Sequence, residues 1–141
     1  MTPVDAATLL VAVGFSGWQV VTMGAIGRAE SNLDAHAIGL NDQTPTSRSY
    51  LSVDWGWLQI NDYWNTAMLI GAGVLRAEFP VSMQLLDAET NARAARAVFL
   101  DRGGLKDPIT AYKGWHVYQS ATYELFLPGA RAAARTIGVA V

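Results

Sequence analysis

Spaced along the chain are apolar stripes of helical period, separated by short polar punctuation. Trp18, Val21, Ala25, Ile26 and Ala29 recur at three- and four-residue steps, as on a helix face turned to a core. Ser16 is placed to cap this helix, which should run to about Ser31 and form the central buried helix. Gly24 and Gly27 weaken it but let another element approach closely. Before it, Thr2 as N-cap and Pro3 at the first helical position open a shorter helix that Gly14 stops. After it, helical pattern resumes at Asn61 or Asp62 and runs to about Ile70, where Gly71 and Gly73 break it. Pro80 begins a short helix through Leu86. The clearest periodic stretch is Asp87 to Arg102. Asp87 caps it, Ala88, Asn91, Ala92, Ala95, Val98 and Phe99 form the inward stripe, and Gly103-Gly104 end it. Asp107-Pro108 and Ser120 start further helices, and Pro128 restarts the chain for a last one ending near Gly138.

One stretch breaks the helical period. Residues 39–56 carry Gly, Asn, Asp, Pro, Thr and Ser, with a β-prone patch at Tyr50-Leu51-Ser52-Val53. This predicts a long loop with a small hairpin, and long structured loops are usually functional. The expected class is mostly α (α+β), one domain over residues 1–141. Half of the residues are hydrophobic and 16% are charged, enough apolar material for a core and too little charge for disorder.

Charge removes some functions. The net charge is −2 and no block of like charge appears, which disfavours a nucleic-acid partner. The same balance gives little long-range steering towards an anionic wall polymer. The absence of cysteine rules out disulfides and thiol chemistry. Residues 6–27 hold no charge over 22 positions, which invites a membrane or signal-peptide reading. Gly14-Phe15-Ser16-Gly17 interrupts the run, Gln19 and Thr22 sit inside it, and no basic start precedes it, so two short core helices are expected and no membrane span. His36 and His116 are too few and too far apart for a metal site and read as surface or loop residues. No metal or other cofactor is expected.

Two acids stand out. Glu30 ends the buried helix at the edge of its apolar stripe, one turn past Ile26. The helix dipole at a C-terminus and partial burial both disfavour the charged form and raise the pKa, as a general acid near neutral pH needs. A surface glutamate at a helix end is the plain alternative. Asp54 lies among polar neighbours, Ser52, Gln59 and Asn61, that can hydrogen-bond a carboxylate; the alternative is a turn aspartate before Gly56. Asp34, Asp42 and Asp62 read as turn or capping residues. Cleaving a glycosidic bond needs a proton donor, an opposed carboxylate and a platform for the sugar.

Glu30-Ser31-Asn32 followed by Ser52-Val53-Asp54-Trp55-Gly56-Trp57-Leu58-Gln59-Ile60-Asn61 resembles the lysozyme superfamily. The second segment is similar to the S-x-D-Y-G-x-L-Q-I-N segment of animal C-type lysozymes. The whole chain looks nearer to phage and actinobacterial lysozyme-like domains, which share an opening like Val13-Gly14-Phe15-Ser16-Gly17. Gly56 to Ile60 also resembles the G-L-M-Q-I of soluble lytic transglycosylases, and Ala111-Tyr112-Lys113-Gly114-Trp115 approximates their A-Y-N-A-G motif. The resemblance covers roughly residues 13–115.

The resemblance implies a lysozyme-like fold, a helical bundle around a central helix with a small β-hairpin beside the cleft. It implies Glu30 as general acid and Asp54 as second carboxylate. It places Gln59 and Asn61 on the substrate side, Tyr63 or Trp64 against the sugar, and Tyr112 near the acid. The loop between the acids is longer than in C-type enzymes, and Lys113 replaces an asparagine. Aromatic faces stack on sugars. Trp64 is expected to do so, Trp57 and Trp115 fit either a substrate or a packing role, and Trp18 and Trp55 are expected in packing. The implied activity is hydrolysis of the N-acetylmuramic acid–N-acetylglucosamine bond of peptidoglycan. The alternatives are a lytic transglycosylase with Glu30 as sole acid and base, and a wall-binding or virion module without turnover. The setting expected is the bacterial cell wall, as a phage lysis or entry component or as the catalytic module of a larger protein, exported without a visible signal peptide.

Overall fold

A computed structural model describes residues 1–41, 52–78 and 80–141. Thr2 opens α1 (Pro3–Ala12) with a reciprocal capping box: its hydroxyl accepts from the Asp5 amide, and the Asp5 carboxylate accepts from the Thr2 amide. The central helix α2 (Trp18–Ser31) packs against α1, against α7 (Leu127–Thr136) and against a 3-10 segment at Thr122–Phe126. Its cap is Gly17 rather than Ser16, in a conformation (φ 49, ψ −131) suited to glycine. Ser16 instead donates its amide to the Gln19 side chain.

The fully buried face of α2 is Val20, Val21, Met23, Ala25 and Ile26. Trp18, expected in packing, is 54% exposed. It stands on the helix's first residue, and the Arg131 guanidinium from α7 lies 5.0 Å over its ring. Gly27 has the role expected of it. A Cβ there would come within 2.6 Å of the Trp57 ring, so the missing side chain lets the 56–59 turn press on the helix.

Strands β1 (Ile38–Asn41), β2 (Ser52–Trp55) and β3 (Ile60–Asn61) form an antiparallel sheet in that order. The expected β-prone patch contributes Ser52 and Val53, while Tyr50, Leu51 and Asp42 lie outside the described residues. Helix α3 (Asp62–Gly71) follows at once, capped by Asn61. Val81–Leu86 is a 3-10 segment leading into α4 (Ala88–Asp101), which Asp87 caps as expected.

Asn91 on α4 is fully buried and fully used. Its oxygen accepts from the Leu58 amide at 2.9 Å, and its nitrogen donates to the carbonyls of Trp55 at 2.8 Å and Leu85 at 3.0 Å. One side chain thus satisfies backbone groups from the 55–58 turn and the 3-10 segment, groups that burial would otherwise leave unpaired. Gly56 (φ 71) sits against Asn91 and the Leu85 carbonyl with no room for a Cβ.

The rest of the chain is shorter: α5 (Pro108–Tyr112), α6 (His116–Gln119) and the 3-10 segment before α7. Ser120 does not start a helix. It ends α6, and Ala121 turns left-handed (φ 60) before the 3-10 segment. An aromatic row of Phe15, Phe99, Tyr112, Tyr118 and Tyr123, with successive ring centroids 4.7–5.4 Å apart, ties α4, α5 and α6 together. No described helix is long and apolar enough to cross a membrane.

Candidate active site

Helix α2 ends abruptly, and the manner of its ending positions Glu30. Asn32 (φ 60) and Leu33 (φ 63) are both left-handed, and their amides return to the carbonyls of Arg28 and Gly27. Leu33 buries its side chain, which anchors the turn against the cost of its backbone. Ser31 Oγ donates to the Trp57 carbonyl at 2.9 Å, fastening the helix end to the turn after β2. Glu30 is thereby held half-buried at the wall of a cleft of about 250 Å3.

Burial pushes the Glu30 carboxyl up to about 7. The Val117 backbone amide works in the opposite direction, and the negative charge of Asp54 raises it further. A carboxylic acid so placed keeps its proton through most of the range in which an ordinary glutamate has lost it.

Asp54 lines the same cleft from β2. Register decides its neighbours: Gly39 of β1 is opposite on one side and Asn61 of β3 on the other. Each carboxylate oxygen accepts a side-chain amide, Oδ2 from Asn41 at 2.8 Å and Oδ1 from Asn61 at 2.7 Å. The Asn61 side-chain oxygen accepts from the Trp64 amide at 3.2 Å, so one asparagine orients the acid and caps α3. Asp62 braces the same strand, accepting from the Val53 amide and the Trp55 indole, both at 3.0 Å. Its role is wider than the turn or cap expected.

Other hollows are as large or larger, about 270 Å3 under α1 and α2 and about 690 Å3 beside α4. The first is lined by no acid, and in the second Glu89 and Asp101 share the wall with Arg93 and Arg96, so chemistry, not size, selects the cleft at Glu30. Residues 7–104 match the family described as lysozyme-like domain. The chain belongs to the lysozyme-like domain family. No curated protein and no solved structure matches it. At the level of that family, the lysozyme-like domain is tied to peptidoglycan-related glycan cleavage, by a glycoside hydrolase or a lytic transglycosylase.

Within this lysozyme-like domain the cleft brings together Glu30, Asp54, Gln59, Asn61 and Trp64. Gln59 is left-handed (φ 48), and its amide donates to the Gly56 carbonyl at 2.8 Å. A Cβ on Gly39 would come within 2.6 Å of the Gln59 side-chain oxygen, so that glycine makes room for it. Trp64 is 72% exposed on the rim. Tyr63 meets Trp64 edge-to-face at 4.7 Å and stands beside the cleft, not in its lining.

Two expected substrate residues are elsewhere. Trp57 is fully buried against Gly27, and its indole donates to the Ala88 carbonyl at 3.0 Å, so it offers no face to a sugar. Tyr112 is buried in the aromatic row and does not line the cleft; burial pushes its hydroxyl up to about 12. Trp115 is buried too, with its indole donating to the Leu58 carbonyl at 2.8 Å, and its edge reaches the cleft.

The same cleft is also lined by Asn65 and Arg102, which sequence reasoning passed over, by Gly114 of the transglycosylase-like motif, and by His116, expected only as a surface or loop residue. Arg102 had a signal, since it continues the inward stripe one turn beyond Val98. Asn41 had none, because its bond to Asp54 depends on the β1–β2 register.

Proposed function

We propose that the protein cleaves peptidoglycan glycan strands as a muramidase, with Glu30 as general acid and Asp54 as second carboxylate. Glu30 gives its proton to the glycosidic oxygen as the bond from muramic acid C1 breaks, and N-acetylglucosamine departs with a free 4-hydroxyl. Asp54 faces the positive charge that develops at C1 and stabilises it or adds to it. Water then adds at C1 and returns its proton to the Glu30 carboxylate. Gln59 and Asn61 supply the polar side of the cleft and Trp64 a stacking face at its rim. In this reading the site of action is the bacterial cell wall, within a phage lysis or virion component or a larger wall-degrading protein.

The observation that carries the proposal is a half-buried glutamic acid that holds its proton to about pH 7, lining one cleft with an amide-clamped aspartate. The test is wall lysis by Glu30→Gln together with product analysis. Loss of a general acid costs about 100- to 10,000-fold. Wild-type products with reducing muramic ends support hydrolysis, and 1,6-anhydro ends show the transglycosylase route, in which Asp54 has no chemical role. A Glu30→Gln variant that lyses walls as fast as wild type overturns the acid assignment.

A further inference from the structure

Arg102 immediately follows α4, exposed, and lines the same cleft as the two acids. Its guanidinium lies directly on the α-carbon of Gly114, in the space a Cβ would take. Gly114 is not among the residues of positive φ, so its backbone does not require glycine; the missing side chain serves as the seat of the guanidinium. Among the described residues the Arg102 guanidinium has no hydrogen bond and no ion pair. Glu30 is not its partner, since the influences on that carboxyl are burial, the Val117 amide and Asp54.

A guanidinium held in a cleft without a partner is a carboxylate receptor: its planar fork matches two carboxylate oxygens at once. The rest of the cleft makes this matter. Asp54 repels an anionic substrate, and the net charge of −2 supplies no general attraction. Among the described residues that line that space, Arg102 is the one lysine or arginine.

Resting on the glycan-cleaving reading of this cleft, we propose that Arg102, seated on Gly114, selects strands that carry a carboxylate over neutral aminosugar polymers. The carboxylate is that of the muramic lactyl group or of a peptide attached to it.

Binding by the Glu30→Gln protein, which does not turn ligand over, tests this by calorimetry. The ligands are peptide-free muramyl oligosaccharides with free lactyl carboxylates, the same oligosaccharides with those groups converted to methyl amides, and peptide-bearing strands. Adding Arg102→Gln should weaken a charged ligand about tenfold and the neutralised one less than about twofold. The charged ligand that loses affinity identifies the carboxylate. Gly114→Ala should give a similar loss with the arginine still present, and Arg102→Lys should restore part of it. Equal losses on charged and neutralised ligands, or no loss on either charged one, overturn the proposal. If the folded Glu30→Gln protein binds none of the three, the cleft reading itself falls and this proposal with it. If it binds all three and Arg102→Gln changes nothing, only the proposal about Arg102 falls.

Discussion

Replacing Glu30 by glutamine should make the folded domain more stable, and only above about pH 5. The ordinary pKa of 4.5 applies in the unfolded chain, and burial raises it to about 7 in the folded one. Below 4.5 the carboxyl is neutral in both states, and folding takes nothing from it. Between 4.5 and 7 the unfolded chain ionises while the folded domain keeps its proton. The folded state then binds more protons, so stability falls as pH rises. Above about 7 both states are ionised and the loss is complete. At about 1.4 kcal/mol per pH unit the span from 4.5 to about 7 amounts to about 3 kcal/mol. Solvent reaching the cleft side of the carboxyl screens part of this, leaving about 2 kcal/mol. Glutamine has nearly the same shape and no proton to lose. Urea unfolding of both proteins at about pH 4 and pH 8 is the assay. The variant should match wild type at the lower pH and exceed it by about 2 kcal/mol at the higher, a rise of about 6 °C in Tm for a domain of this size. Equal stabilities at pH 8 would refute the claim that burial holds the proton. A gain of equal size at both pH values would show a packing effect instead.

The same carboxyl predicts an alkaline limb in kcat/KM near pH 7, falling about tenfold per pH unit above it. Because the Asp54 charge adds to the rise, Asp54→Asn should lower the Glu30 pKa; NMR of the labelled carboxyl reads this without turnover, and an unmoved titration would mean the two acids do not interact. Asn91→Ala strands the Leu58 amide and the Trp55 and Leu85 carbonyls, and should cost about 3 kcal/mol or more in chemical denaturation; a loss under about 1 kcal/mol would contradict the bonding described. Trp64→Ala, on an exposed rim, should change stability by less than about 0.5 kcal/mol. It should weaken glycan binding about tenfold by calorimetry, and unchanged affinity would remove Trp64 from the sugar platform.

Local signals made the helices legible. Thr2-Pro3, Asp87 and Asp107-Pro108 mark helix starts because a short polar side chain or a proline satisfies an end's own geometry, whatever packs around it. Gly27 was legible for a related reason: a glycine inside a good stripe marks a close approach. The tryptophans were not. Spacing does not separate Trp18, which begins a stripe and stands in solvent, from Trp57, which follows Gly56 and is the largest fully buried side chain. What separates them is the neighbour each meets, Arg131 in one case and Gly27 in the other. The acids divide in the same way. The burial of Glu30 could be read from its own helix, whereas the clamp on Asp54 needed the strand register that brings Asn41 and Asn61 to either side. Asn65, Arg102 and His116 gather in the cleft lining only when α3, α4 and α6 converge.

Both hydrogens and the oxygen of one amide are engaged at position 91, each on the main chain of a different residue. Aspartate would turn acceptors toward two carbonyls, leucine would abandon all three partners, and glutamine would overreach by a methylene. Engineers who retarget this groove to another polysaccharide therefore inherit that asparagine as a fixed coordinate, and their freedom lies with the rim.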